Sequence, residues 1–266
     1  MTTFQAIVLG LIQGLTEFLP VSSSAHLSLA PYFFGWKDPG LAFDVALHFG
    51  TLIAVLWYFR KEWAELIRSA LRIMSRRRIE TAEEKRVIFL ILATIPGAIG
   101  GLLLEEKAET TFRAPLLTAC ALIVMGLILW AVDKAAAQDR PLDQMKWTDA
   151  LLIGIAQVVA LIPGVSRSGS TITMGRGLSL DRQSAAVFSF LMSMPIIAAA
   201  VVLKGPEAAA SGISAPLVAG VIAAAVSSWL AISILLRYVS RHSYGIFALY
   251  RIVLGVVVIV VLYLRG

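Results

Sequence analysis

One cysteine, three histidines and a low density of charge are what 266 residues offer for cross-linking, metal binding and solvation. Cys120 has no second thiol to pair with and lies in an apolar run, so it reads as a small packing residue. Cys and His pairs at ligand spacing are missing, which argues against a zinc-type centre. Charged residues make up 15% of the chain and hydrophobic ones 58%, where a soluble domain has about 25% charged residues. No polar stretch is long enough for a soluble domain, so residues 1–266 are expected to form a single membrane domain. No Lys or Arg precedes Lys37, and with that the basic n-region of a cleavable signal peptide is not expected.

What the chain does have is apolar length. Six stretches approach the ~20 residues that cross a bilayer: roughly 41–59, 86–104, 115–132, 184–203, 215–236 and 246–264. Two further segments, 4–34 and 149–180, begin apolar, break at Pro20 or Pro163 and turn rich in Ser and Gly. Broken backbone is not tolerated against lipid, so both are expected as re-entrant helical hairpins buried in protein or lining a wet cavity. The fold class expected is therefore all-α and integral to the membrane, with about six transmembrane helices and two re-entrant hairpins. A shift of 144 residues brings Gly10 onto Gly154, Gln13 onto Gln157, Val21 onto Val165, Ser22 onto Ser166 and Ser24 onto Ser168. Three spans follow each copy. An odd number inverts the second half, so 1–140 and 141–266 are expected to be an inverted-topology repeat with the site between them.

The net charge is +6. In a soluble protein this would suggest nucleic acid. Here the basic residues sit at span ends, where topology and anionic lipid explain them, and no nucleic-acid partner is expected. Nine lie between Arg60 and Arg86, which makes that gap cytoplasmic. Counting spans puts Lys134, Arg140, Lys146, Arg237 and Arg241 on the same side. The outer loops carry few, Lys107, Arg113 and Lys204, and both termini fall outside. Within 60–78, Trp63, Leu66, Ile67, Ala70, Leu71 and Met74 share one face, as in an interfacial amphipathic helix.

The polar residues at membrane depth gather in two motifs. The first runs from Gln13 through Glu17 and Ser22-Ser23-Ser24 to His26. Gln13 and Glu17 are four apart and share a helix face. An intramembrane carboxylate is costly and points to function. Glu17, Ser23 and His26 offer an acid/base, a nucleophile and a second titrating group within ten residues. The second motif is Pro163-Gly164-Val165-Ser166-Arg167-Ser168-Gly169-Ser170-Thr171. Glycines let backbone approach a ligand, a helix start directs N–H groups at it, and the fork of Arg167 suits phosphate.

These motifs resemble the bacterial undecaprenyl-pyrophosphate phosphatase family, the bacitracin-resistance type. Its first signature is Glu or Gln, three residues, Glu, then Phe-Leu-Pro-Val-Ser-Ser and His, met here from Gln13 to His26. Its second is Pro-Gly-x-Ser-Arg-Ser-x-x-Thr, met from Pro163 to Thr171. The likeness extends to Phe43-Asp44-Val45 and Tyr250-Arg251. It implies hydrolysis of a polyprenyl pyrophosphate at the external face of the bacterial inner membrane, with recycling of the lipid carrier for cell-wall synthesis. It further implies help from a divalent cation (Mg2+ or Ca2+), held by Glu17. Glu17, Ser23, His26 and Arg167 are the expected catalytic residues. Gln13, Ser22, Ser24, Gly164, Ser166, Ser168, Gly169 and Thr171 are expected to bind substrate. Many members have Glu where this chain has Gln13, and Gln exchanges no proton, so a two-carboxylate mechanism is excluded here. A homodimer is a further expectation. The rival reading is a lipid-phosphate transporter or flippase, since inverted repeats with broken helices also build transporters.

The topology is open to test in a Cys120→Ala background. A cysteine near Arg77 is expected to react with impermeant thiol reagents from the cytoplasm only, and one near Ala108 from outside only. The opposite labelling would overturn the orientation.

Overall fold

Helix formation follows the apolar runs and stops where proline, glycine or serine interrupts them. The computed structural model describes residues 1–109, 114–137, 140–210, 212 and 214–265. Arg113 lies outside these residues, and so do the side chains of Lys107 and Ala108. The helices are α1 (Thr3–Phe18), α2 (Ser23–Phe34), α3 (Leu41–Tyr58), α4 (Arg60–Arg76), α5 (Ala82–Glu109), α6 (Pro115–Ala135), α7 (Trp147–Val159), α8 (Arg167–Gly177), α9 (Arg182–Ala210), α10 (Ala215–Val239) and α11 (Gly245–Arg265).

This is an all-α integral membrane protein. Among the described residues five helices, α5, α6, α9, α10 and α11, are long and apolar enough to cross a membrane, and the bent pair α3–α4 makes a sixth if counted as one span. The first expected stretch, 41–59, is α3. The chain then turns by 81° into α4. The apolar face of α4 is divided. Leu66 is buried and Trp63 and Ala70 are half-buried, whereas Ile67, Leu71 and Met74 are exposed. Arg72 pins α4 to the start of α5 by bonding Glu84 at 3.3 Å. Cys120 lies exposed on α6, which corrects its expected place in the packing.

Between the spans lie the two interrupted helices. α1 ends at Phe18 and α2 begins at Ser23; α7 ends at Val159 and α8 begins at Arg167. Each second helix is capped by a serine with positive φ, Ser22 at 75° and Ser166 at 72°. Ser22 accepts from the Ala25 N–H and Ser166 from the Gly169 N–H. A serine two residues on meets each cap, Ser24 at 3.2 Å and Ser168 at 3.1 Å. α1 packs along α10 and α7 along α5, while α6 pairs with α11 and α3 with both α9 and α10.

Helices in a bilayer gain little from the hydrophobic effect and associate by close packing of small residues. A Cβ added at Gly10 would stand 2.2 Å from the Gly220 carbonyl oxygen, and one at Gly14 would stand 2.0 Å from Ser227 Oγ. On the other pair, a Cβ at Gly154 would meet the Ala93 carbonyl oxygen at 2.5 Å. Gly14→Val is therefore expected to force α1 and α10 apart and cost about 1–3 kcal/mol or more. A lowered unfolding midpoint in detergent, next to an unchanged Gly101→Val control that has open space, is the check.

Candidate active site

The two breaks lie against each other. Ser22 Oγ accepts from the Gly164 N–H at 3.1 Å, and Ser168 Oγ donates to the Leu19 carbonyl at 2.9 Å. Arg251 of α11, fully buried, fastens both. Its guanidinium donates to the carbonyls of Pro20 at 3.0 Å, Gly164 at 2.7 Å and Val165 at 2.8 Å. These oxygens have no helical partner, so the guanidinium answers the demand that buried backbone be satisfied. Glycine is required at 164, where φ is +95° and a Cβ would stand 2.4 Å from the Thr118 carbonyl oxygen.

Joining the breaks brings the first residues of α2 and α8 to one carboxylate. Glu17, on the last turn of α1, is 7% exposed. Its Oε2 accepts from Ser23 Oγ at 2.6 Å and from Gln13 Nε2 at 3.0 Å. Its Oε1 accepts from the Arg167 guanidinium in an ion pair. Arg167 also donates to the Ser193 carbonyl of α9 at 3.4 Å. The positive ends of two helices add to the compensation of this buried charge. His48 Nε2, from α3, stands 3.5 Å from Oε2.

The structure thus brings together four of the residues expected from sequence: Gln13, Glu17, Ser23 and Arg167. His26 is engaged elsewhere. Its Nδ1 meets the Ser22 carbonyl at 2.7 Å, so that nitrogen carries the hydrogen. Its Nε2 then accepts from the Tyr250 hydroxyl at 2.7 Å, with the rings stacked. Most serines of the motifs serve the framework. Ser22, Ser166 and Ser168 are buried in caps and cross-links, and Gly169 gives its N–H to Ser166. Thr171 Oγ1 donates to the Arg167 carbonyl at 2.8 Å and meets Ser189 Oγ at 2.7 Å. Ser24 is exposed.

Two contributors are not evident from the sequence. His48 is a lone histidine in an apolar span, and its signal is its depth. Arg251 stands in Tyr250-Arg251 with no sign of its role, because only the fold reveals what it bonds.

Residues 6–257 match the family described as bacitracin resistance protein BacA. The chain belongs to that family. Among relatives of this BacA-family chain, the undecaprenyl-diphosphatase of Gemmatimonas aurantiaca is 66% identical over 259 residues, covering 97% of each protein. That of Moorella thermoacetica is 51% identical over 265 residues and covers 100% of both. Undecaprenyl-diphosphatase 2 of Stutzerimonas stutzeri is 46% identical, covering 98% of each.

Removing the clasp is the direct test of how the BacA-family site is held. Arg251→Leu orphans several carbonyls at about 1–3 kcal/mol apiece. The variant is expected to lose stability and most activity together. A stable Arg251→Leu protein would show that the breaks hold without it.

Proposed function

We propose that the chain is an undecaprenyl-diphosphatase, hydrolysing undecaprenyl pyrophosphate to the monophosphate and inorganic phosphate and so recycling a cell-wall lipid carrier. The observation that carries this is the division of labour on Glu17. One oxygen takes the hydroxyl hydrogen of Ser23 and the other holds Arg167, which sets nucleophile, base and phosphate clamp around a single group.

The chemistry follows from these positions. The terminal phosphate draws Arg167, whose side chain is 19% exposed, away from Glu17. Ser23 Oγ attacks the terminal phosphorus and its proton passes to Glu17 Oε2. The bridging P–O bond breaks, and the lipid monophosphate leaves. Water then attacks the phosphoserine, Glu17 returns the proton to Ser23 Oγ, and the proton lost by water leaves on inorganic phosphate. Arg167 and the helix N-termini stabilise the charge on the transferring group. Gln13 orients Glu17, and Tyr250 with the Ser22 carbonyl fixes the ring of His26 beside the break. Transport alone gains nothing from a carboxylate beside the phosphate site, which favours catalysis over the carrier reading.

A divalent cation is part of the proposal. Among the described residues no three of His, Cys, Asp and Glu gather. Mg2+ commonly takes one or two carboxylates and completes its shell with substrate phosphate and water. The residues fit an ion of that kind, Mg2+ or Ca2+, held by Glu17, and when bound it neutralises charge on the phosphate oxygens. Halves 1–140 and 141–266 are taken as an inverted-topology repeat in a bacterial inner membrane, with the site open to the external side. The matched caps, the matched packing of α1 on α10 and α7 on α5, and the basic gap Arg60–Arg86 support this.

Phosphate release by purified protein in detergent tests the reading. Arg167→Ala is expected to lose about 10²–10³ in rate, with Arg167→Lys recovering only part for want of the fork. Glu17→Gln is expected to be severely impaired and Gln13→Glu to stay active. Wild-type turnover in Ser23→Ala would pass the attack to water. Absence of release from the wild type, with lipid movement in vesicles, would make the protein a carrier.

A further inference from the structure

An apolar groove of about 340 Å³ lies where α4, turned away from α3, meets α5. One face of α5 forms its length: Val87, Leu90, Ile91, Thr94, Ile95 and Ala98. Trp63 and Ile67 of α4 line it too, and so does Pro195 of α9. The hydroxyl of Thr94 donates to the Leu90 carbonyl at 2.7 Å, so α5 presents only hydrocarbon to the groove. Val87 and Ala98 are separated by about 16 Å of helix, roughly half of a ~30 Å hydrocarbon core. The groove has the depth of one leaflet. That suits an acyl chain entering beside α4.

At the α4 end a second cavity, about 270 Å³, shares Leu66 with the groove. Its walls carry both signs of charge. Lys61, Glu62 and Glu65 come from α4, and Glu83 and Arg86 from the start of α5. Arg86 is held by Asp143 at 2.5 Å and Glu65 by Arg72 at 2.9 Å. Lys61, Glu62 and Glu83 make no ion pair among the described residues. One free cation beside two free carboxylates repels a purely anionic headgroup and complements one that holds both a phosphate and an ammonium. Trp63, next to Glu62 in the chain, adds a polar demand. Its Nε1 hydrogen is buried without an acceptor among the described residues, and such a donor is costly. A lipid ester oxygen, which stands between acyl chain and headgroup, is an acceptor at this level, where interfacial indoles commonly sit.

We propose that the α4–α5 groove and its charged mouth bind one phospholipid with an amine headgroup, of the phosphatidylethanolamine type. The acyl chain lies along α5, the ester oxygen takes the Trp63 N–H, Lys61 meets the phosphate, and Glu62 and Glu83 take the ammonium. A prenyl tail has no ester for Trp63 and no charge for the mouth. With the gap Arg60–Arg86 on the cytoplasmic side, as taken above, the lipid belongs to the inner leaflet and fastens α4 to α5. The lining shares no residue with the Glu17 site, so the inference does not rest on the proposed reaction.

The test uses the full chain in detergent, stripped of lipid, and native mass spectrometry with phosphatidylethanolamine, phosphatidylglycerol or phosphatidylcholine added. One phosphatidylethanolamine is expected to stay bound, about two- to fivefold more tightly than phosphatidylglycerol. Phosphatidylcholine, whose quaternary ammonium donates no hydrogen bond to a carboxylate, is expected to fall below phosphatidylethanolamine as well. These comparisons use the unmutated chain. Glu62→Gln with Glu83→Gln is expected to erase the preference, Lys61→Gln to weaken all three lipids, and Trp63→Phe to do the same. Ala98 is exposed, so Ala98→Phe fills the groove from its surface and is expected to lose the bound lipid. Phosphatidylglycerol bound as tightly as phosphatidylethanolamine by the unmutated chain, an unchanged preference in the double Glu variant, or undiminished retention in Ala98→Phe would each overturn the site. Displacement of the phospholipid by equimolar polyprenyl phosphate would overturn it too, by making the groove a seat for a prenyl tail.

Discussion

Interrupted backbone inside an apolar bundle has to find its hydrogen bonds within the protein, and one guanidinium supplies the decisive ones. Arg251 reaches the carbonyls of Pro20, Gly164 and Val165 from a third helix. A lysine has a single point of charge and no planar fork, so it could not spread across carbonyls from two segments in this way. The two breaks lie side by side because of this fork and the bonds through Ser22 and Ser168. The first turns of α2 and α8, which begin just beyond the breaks, are placed as a consequence.

Glu17 is where that placement becomes chemistry. A lone carboxylate at this burial would be strongly disfavoured. It is compensated by Arg167, two neutral donors and two helix N-termini, and each of these is also of use to a phosphate. In the proposed reaction, stabilisation of the resting site and recognition of the anionic substrate draw on the same groups. In the proposed reaction the substrate competes with Glu17 for Arg167, and the carboxylate it displaces is the one bonded to Ser23.

Much of this is legible in the amino-acid sequence. The spacing of Gln13 and Glu17 implies a shared face, and the side chains are bonded. Pro20 and Pro163 mark the interruptions, and helices start after them at Ser23 and Arg167. The features that needed the fold involve partners distant in sequence or a single residue without a pattern. A hydroxyl reads the same whether it will cap a helix or touch a ligand, so Ser166, Ser168 and Thr171 could not be sorted from Ser23 by type. His48 has no periodic or motif context, and Arg251 donates to carbonyls, which carry no mark in a sequence. The bend after α3 is signalled only by the amphipathic pattern of 60–78, and the inward packing of Leu66 is not signalled at all.

Backbone contact at Gly10 and Gly14 has a mechanical meaning. With a carbonyl and a hydroxyl already where side chains would be, α1 and α10 have no compressible layer between them and behave as one stiff strut. Sliding α1 along α10 by one residue, about 1.5 Å, would drive its Cβ-bearing neighbours into the α10 backbone. Glu17 is therefore anchored to the rigid part of the bundle. α3 is held to α10 in the same way, since a Cβ at Gly50 would stand 2.4 Å from the Val221 carbonyl oxygen. A group that comes to Glu17 therefore meets a fixed frame, and the give lies in side chains, chiefly the long stem of Arg167.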